Sequence, residues 1–328
     1  MNQTNGYIYV RNHPSYDVDD ACKMGKSNNI PERDTQYDTM ACLRILSFNT
    51  CLLPPGVTNA GSSDDKAIKR ISLFFSNFGF KQDILLLSEV WDVMWTLRSS
   101  SILNKVLELA NQYGFTYSYY KSREWYQLCN NGLVILSRLP IKTTSFVTFR
   151  SSAGFQWFVP NGAIGCEVIL PSLSSPSSIF FFTTHIHAGS LDTRFCNSVE
   201  ATKRVQKEQI TELKNMMDDT ITPGSTWLVS GDFNIDAIES VTSGLLLEYD
   251  VLKNIMGMDS LLKQCGFPTT YPVPETGSFL VNKKFIGDKT CVDHSFSSSN
   301  NIKVDAKVLE VDGLFLSDHA AIIMKILV

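Results

Sequence analysis

Residues 84–87, Ile-Leu-Leu-Leu, form an unbroken apolar run that stops at Ser88-Glu89. Four consecutive apolar residues predict a strand buried on both faces, as in the sheets of α/β domains. A second run, 226–230, reads the same way and leads into Gly231-Asp232-Phe233-Asn234. The glycine there lets the backbone turn sharply and leaves room above the strand end. Asp232 and Asn234 are two apart, so on extended backbone they face the same side. A carboxylate beside an amide can hold a hard cation and orient a water. The same residue types also cap a turn, here into a helix starting near residue 237.

Other strand ends carry polar groups in the same way. Residues 43–48 predict a first strand ending at Asn49, which either caps the turn or helps to place a metal or phosphate oxygen. Glu89 follows its apolar run among bulky neighbours, where a carboxylate needs a cation or a basic side chain. Residues 163–170 and 179–184 predict a strand pair around a Pro/Ser-rich loop, delivering His185-Ile186-His187-Ala188. Two histidines at i and i+2 share a face and suit zinc by spacing. The metallo-β-lactamase pattern, however, needs Asp and His at 189 and 190, where Gly189 and Ser190 stand. His185 is therefore read as a phosphate-facing group and His187 as a packing or supporting one. A short strand over 290–296 carries Asp293, and Asp318-His319 precede the last strand.

Between these ends the period changes. Helices are predicted over 65–78 (Ile68, Ile71, Leu73 and Phe75 inward), 102–113, 199–217 (Val205, Ile210, Leu213 and Met217 inward) and, in two pieces, 239–265. Residues 115–126 alternate like an edge strand, 132–137 form another strand, and 268–290 form a long loop of the functional kind. Residues 1–40 are polar and aperiodic, a tail or loosely attached arm. Gly25-Lys26-Ser27 in that arm is not a phosphate-binding loop: its leading glycine would fall at Asp20, and no strand precedes it.

Composition removes several classes. At 328 residues, 44% hydrophobic, the chain has material for one large α/β domain or two small ones. No run approaches the ~20 apolar residues of a membrane span. The first residues lack the basic flank and apolar core of a secretory signal, so a cytoplasmic location with peripheral membrane association is expected. The eight cysteines, without a Cys-x-x-Cys pair, are then reduced packing residues. A formal charge of −4 lends no support to tight nucleic-acid binding, though brief contact with DNA stays open. Phe149, Phe155, Trp157 and Phe158 cluster around Gly154, either as core or as a lipid-facing loop.

Taken in order, Ser47-Phe48-Asn49, Leu87-Ser88-Glu89, Thr184-His185, Gly231-Asp232-Phe233-Asn234, Val292-Asp293 and Ser317-Asp318-His319 resemble the endonuclease/exonuclease/phosphatase superfamily, the DNase I-like fold. Within it the chain is most similar to the neutral sphingomyelinases, through Asn49-Thr50-Cys51-Leu52-Leu53-Pro54, Glu89-Val90-Trp91-Asp92 and His185-Ile186-His187-Ala188. The stretches typical of abasic-site nucleases and of inositol polyphosphate phosphatases are missing. Ser88 stands where these sphingomyelinases usually have Gln, and Asn161 where many have Lys, which bears on head-group preference.

The resemblance implies a four-layer α/β sandwich over residues 41–328: two mostly antiparallel sheets packed face to face, with helices outside. It implies Mg²⁺ (Mn²⁺ as a substitute) held by Glu89 and Asn49, with Asp318 and Asp232 approaching. His319 is then the general base, oriented by Asp293, unless Asp232 takes the proton. Asp232 and Asn234 place the water, and His185 stabilises the phosphorane or protonates the leaving group. The expected partner is a phospholipid at a membrane surface, sphingomyelin giving ceramide and phosphocholine. A Mg²⁺-dependent nuclease meeting nucleic acid, and a binding module without catalysis, are the alternatives.

Overall fold

The structure, a computed structural model, describes residues 42–53, 64–96, 101–153, 159–170, 177–188, 198–238, 247–271, 289–298, 303–309 and 316–327. The expected arm, 1–40, and the aromatics Phe155, Trp157 and Phe158 lie outside them. In chain order the elements are β1 (Cys42–Leu52), α1 (Asp64–Asn77), β2 (Ile84–Val90), α2 (Ile102–Gln112), β3 (Tyr117–Tyr120), β4 (Val134–Ser137), β5 (Ile141–Thr148), β6 (Gly162–Leu170), β7 (Ser177–His185), α3 (Val199–Thr220), β8 (Thr226–Asp232), α4 (Tyr249–Met256), β9 (Asp293–Ser297), β10 (Val304–Val308) and β11 (Ile322–Leu327). One sheet runs β10-β11-β1-β2-β4-β3 and the other β5-β6-β7-β8-β9. Among the described strands, β1 with β2 and β7 with β8 are the parallel neighbours, and every other pair is antiparallel.

Strand periodicity sorts the apolar residues into layers. Leu43 and Ile45 of β1 and Ile84 and Leu86 of β2 meet Ile164, Cys166, Phe181 and Leu228 of the opposite sheet. The residues between them, Leu46, Leu85 and Leu87, pack under α1 and α2. Phe180, Phe182 and Val229 pack under α3 and α4. The run 84–87 is thus shared between two cores, with all four residues fully buried. This is the four-layer sandwich, helices outside.

Several local expectations are corrected. The inner face of α1 is Ala67, Ile71, Phe74 and Phe75, and Arg70 is buried with it. Residues 237 and 238 are not helical, 239–246 of the expected helical pieces lie outside the described residues, and α4 starts at Tyr249. The strand β5 escapes the sequence pattern because it is an edge strand with exposed Lys142 and Thr143 and no clear alternation. The strand β10 escapes it because Val304 and Ala306 are small and few. Phe149 is buried in the core under α3, so it is not part of a lipid-facing loop. Cys51, Cys129, Cys166 and Cys291 are free and buried, as packing residues should be, while Cys265 is exposed. No helix among the described residues is long and apolar enough to cross a membrane.

Gly231 is required for a reason other than a turn. A Cβ there would lie 2.2 Å from the Thr184 carbonyl oxygen of β7, its parallel partner. Gly231→Ala is therefore expected to destabilise the chain by about 1–3 kcal/mol, as overpacking does. Denaturant unfolding of both chains measures it, and equal midpoints would show that β7 yields at no cost.

Candidate active site

The inner face of the second sheet turns polar toward one end. Along β8 the inward residues are Leu228, Ser230 and Asp232, and Ser230 shares a 2.6 Å hydrogen bond with Ser295 of β9. The strand register then sets three functional groups in one row, because His185 pairs with Asp232 and Asp232 with Asp293. Neighbours in one row of a sheet point to the same side. The first sheet meets this row from across the sandwich. Asn49, at the inward position after Ser47, donates through Nδ2 to Asp232 Oδ2 and to Glu89 Oε1, each at 3.0 Å.

Glu89 reaches that amide only because its backbone is unusual. Leu85 and Leu87 point to the helices, and strict alternation would send Glu89 after them. Its φ of 59° puts it in the left-handed region and redirects the side chain. Cys51 and Asn234, at φ 47° and 51°, are held similarly. Such conformations cost non-glycine residues roughly 1–3 kcal/mol each and gather at functional sites. Asn234 consequently does not lie parallel to Asp232, as extended backbone would have required. Its backbone N–H donates to Asp232 Oδ1 and its Nδ2 donates to the Ile186 carbonyl, both at 2.9 Å. Asn234 thus fixes the Asp232 carboxylate and ties the loop after β8 to the one after β7.

The segment before β11 delivers the histidine. Ser317 Oγ donates to the Asn49 carbonyl at 2.7 Å and accepts the His319 N–H at 3.2 Å. His319 Nδ1 is 2.8 Å from Asp293 Oδ2, and its Nε2 is 3.6 Å from Asp232 Oδ2. His185 Nε2 lies 3.7 Å from the same Asp232 oxygen and 4.0 Å from Glu89 Oε1. Thr270 Oγ1 accepts the backbone N–H groups of Val292 and Asp293, and the Thr270 carbonyl accepts the Ala320 N–H. The Tyr271 ring lies 4.8 Å from the His319 ring, centroid to centroid. The long loop expected at 268–290 therefore contributes at its first described end, by positioning both partners of the His319–Asp293 pair.

Burial governs the electrostatics. It raises the pKa of Glu89, with His185 opposing and Asp318 adding to the rise. It raises that of Asp232 too, with His319 opposing and Asp293 adding. Burial pulls His319 the other way, but Asp293 and Asp232 outweigh it and hold the imidazole well above its usual range. Burial raises the Cys51 thiol, and the Asp318 charge adds to that rise and to the rise of Glu89. His187 is buried and pushed down to about 4, first by burial and then by His185, so it is neutral. Its backbone is clamped by Gln206 and Gln209 of α3, which matches a supporting role.

Sequence reasoning missed Arg70. It is 1% exposed and donates to the carbonyls of Thr50 (2.9 Å), Cys51 (2.8 Å) and Leu316 (2.6 Å). It thereby joins the segment after Asn49 to the one before Asp318. Its signal was available: position 70 falls on the same helical face as Ala67, Ile71 and Phe74. Trp91 was noted only within a motif; its ring stands 6.5 Å from that of His185.

The donor set fits a hard cation. Glu89 and Asp232 meet at the Asn49 amide, burial raises both, and divalent charge beside them would relieve that cost, with the Asp318 charge acting on Glu89 from alongside. One oxygen each from Asp232 and Asp293 and one nitrogen of His319 also lie within 4.8 Å of one another. That second grouping is better described as a hydrogen-bonded His–Asp pair facing Asp232, since Nδ1 is already engaged.

Residues 46–319 match the Endonuclease/Exonuclease/phosphatase family, and the chain belongs to that family. A curated relative, Sphingomyelinase C 2 of Leptospira interrogans, is 26% identical over 225 residues, covering 65% of this chain and 33% of the relative. The chain thus spans about a third of that relative's length. Two solved structures share the fold at 16% identity. Sphingomyelinase C from Streptomyces griseocarneus superposes with a TM-score of 0.61, covering 87% of this chain and 99% of the other. A mutant of beta toxin from Staphylococcus aureus, with bound magnesium ions, does so with a TM-score of 0.62 and the same coverage.

Proposed function

We propose that the chain is a divalent-cation-dependent phosphodiesterase that cleaves the head group from a choline phospholipid, with sphingomyelin giving ceramide and phosphocholine. The observation that carries the reaction type is the His319–Asp293 pair at 2.8 Å, whose free ring nitrogen faces Asp232 beside Glu89 and Asn49. The lipid class is supported by the sphingomyelinase relative. Glu89 with Asn49, Asp318 and Asp232 alongside would hold the cation, Mg²⁺ by the oxygen chemistry of the donors. Bound there, it would offset the negative charge of the phosphate and the carboxylates and activate the leaving oxygen.

The chain's own groups then divide the work. His319 in its neutral form, with Nε2 unprotonated, takes the proton of the attacking water, and Asp293 accepts the Nδ1 proton and fixes the tautomer. Asp232, held by Asn49 and Asn234, orients that water. Water attacks phosphorus in line as the bond to the lipid alcohol breaks, and His185 faces the developing charge and hands a proton to the leaving oxygen. Asn161, where many sphingomyelinases have Lys, is only 5% exposed and so supplies neither charge nor reach to a head group.

Parallel assays on sphingomyelin, lysophospholipid and plasmid DNA, with Mg²⁺ and with chelator after metal removal, test this reading. Release of phosphocholine that stops in chelator is expected. Nicking of plasmid without lipid hydrolysis would establish the nuclease instead, and full activity in chelator would dismiss the metal. Glu89→Gln should raise the Mg²⁺ concentration needed for half-maximal activity by about tenfold or more, with an unchanged circular dichroism spectrum. Titration of Mn²⁺ by calorimetry should weaken in parallel; an unaltered isotherm would remove Glu89 from the ligand set.

A further inference from the structure

Six large apolar side chains are exposed among the described residues, and five of them fall in two adjoining segments: Met94 (50%), Trp95 (52%), Trp125 (86%), Tyr126 (66%) and Leu128 (43%). The segments are strapped together by an antiparallel bridge between Val93 and Cys129 and by a 2.9 Å hydrogen bond from the Met94 N–H to the Leu128 carbonyl. Asp92 and Asn130 add two more bonds, at 2.8 and 3.0 Å. The same two segments bury a small apolar floor of Trp91, Val93 and Cys129. The Trp125 and Tyr126 rings meet edge to face at 5.6 Å, on a turn closed by the Gln127 N–H to the Glu124 carbonyl. This is a built ledge rather than a scatter of surface apolar groups.

The ledge adjoins the active site. Trp91, its floor, is the ring that stands beside His185, and Met94 lies five residues after Glu89. The charges on the same segments are matched locally, Lys121 with Glu124 at 3.0 Å and Arg123 with Asp92 at 3.7 Å. Tryptophan and tyrosine are suited to the head-group zone of a bilayer, with an apolar body and a polar edge. Matched charges suit a zwitterionic surface rather than an anionic one, which polybasic segments attract.

We propose that Met94, Trp95, Trp125, Tyr126 and Leu128 dock on the interface of a zwitterionic bilayer and set the mouth of the active site against it. The proposal rests on the reading of the site as a lipid phosphodiesterase. The ledge is separate from the 149–158 aromatics, of which Phe149 is core and Phe155, Trp157 and Phe158 lie outside the described residues.

The test uses the full chain with Mg²⁺ and the variant Trp125→Ser/Tyr126→Ser, with Met94→Ser as an independent second variant. Three quantities are read: co-sedimentation with phosphatidylcholine–cholesterol vesicles that contain no sphingomyelin, turnover of bis-p-nitrophenyl phosphate in solution, and turnover of sphingomyelin in vesicles. Vesicle partitioning is expected to fall about tenfold or more in the double variant, as loss of two inserted rings requires. Turnover of the soluble diester should be unchanged, and vesicle sphingomyelin turnover should fall with binding. Equal partitioning of parent and double variant overturns the proposal. So does a parent that dimerises through this ledge, seen as self-association in sedimentation that the double variant abolishes. A parent that cleaves sphingomyelin micelles but ignores vesicles defeats docking alone. A parent that binds vesicles but cleaves neither diester defeats the function reading alone.

Discussion

His319→Ala is expected to slow phosphodiester turnover about 10²–10⁴-fold, the usual worth of a positioned general base. Melting and vesicle binding should be nearly unaffected. Asp293→Asn should cost less, because the imidazole remains while its tautomer is no longer set by a carboxylate 2.8 Å away. It should also move the acid limb of the pH–kcat profile to lower pH. Asp293 is one of the charges that raise His319, so without it the ring gives up its proton at lower pH and the base form persists further into acid. The double variant should be little worse than His319→Ala, since the pair works as a unit. Additive losses would show that Asp293 has another task. Near-normal turnover of His319→Ala would hand the proton to Asp232. Asp293 is 4% exposed, so melting curves must accompany the kinetics.

The second large effect concerns a residue outside the reaction. Arg70→Met should destabilise the chain by about 3–5 kcal/mol, because it strips three buried carbonyls of their donor and leaves nearby carboxylates without that charge. Against a total of about 5–15 kcal/mol for a typical domain, that is a large share. Arg70→Lys keeps the charge but not the planar fork, so it should fold at reduced stability. Its Mg²⁺ requirement should rise while kcat at saturating metal stays near that of the parent, because the segments bearing Asn49 and Asp318 would be less well held together. An Arg70→Met chain as stable as the parent would mean that the three carbonyls find other donors and that Arg70 positions nothing.

Much of this site was legible because its residues sit at the ends of strands that announce themselves. Asn49, His185 and Asp232 each follow an apolar run, and each run is a strand where expected, whereas Asp293 opens β9. The helices were legible for a similar reason: α2 and α3 carry their inward residues at helical spacing, within a few residues of the expected bounds. Two of the four edge strands were not, since β5 and β10 bury too little to impose a pattern. Arg70 was hidden because a basic residue on an apolar face reads as surface until its three carbonyl partners, 19, 20 and 246 residues away, are known.

Local sequence determined which side chains end each strand and, through the two-residue period, which core each apolar residue joins. It also determined that the 84–87 run must be covered twice. Only the tertiary structure decided the row His185–Asp232–Asp293, because register between strands is set by pairing at long range. It alone decided the direction of Glu89, whose left-handed backbone overrides the alternation that would have turned it toward α1 and α2. It likewise replaced the parallel pair expected of Asp232 and Asn234 with a clamp. The physical reason is common to all three. A strained φ or a fixed register is stable only when hydrogen bonds from distant segments hold it, and those segments meet only once the sandwich has closed.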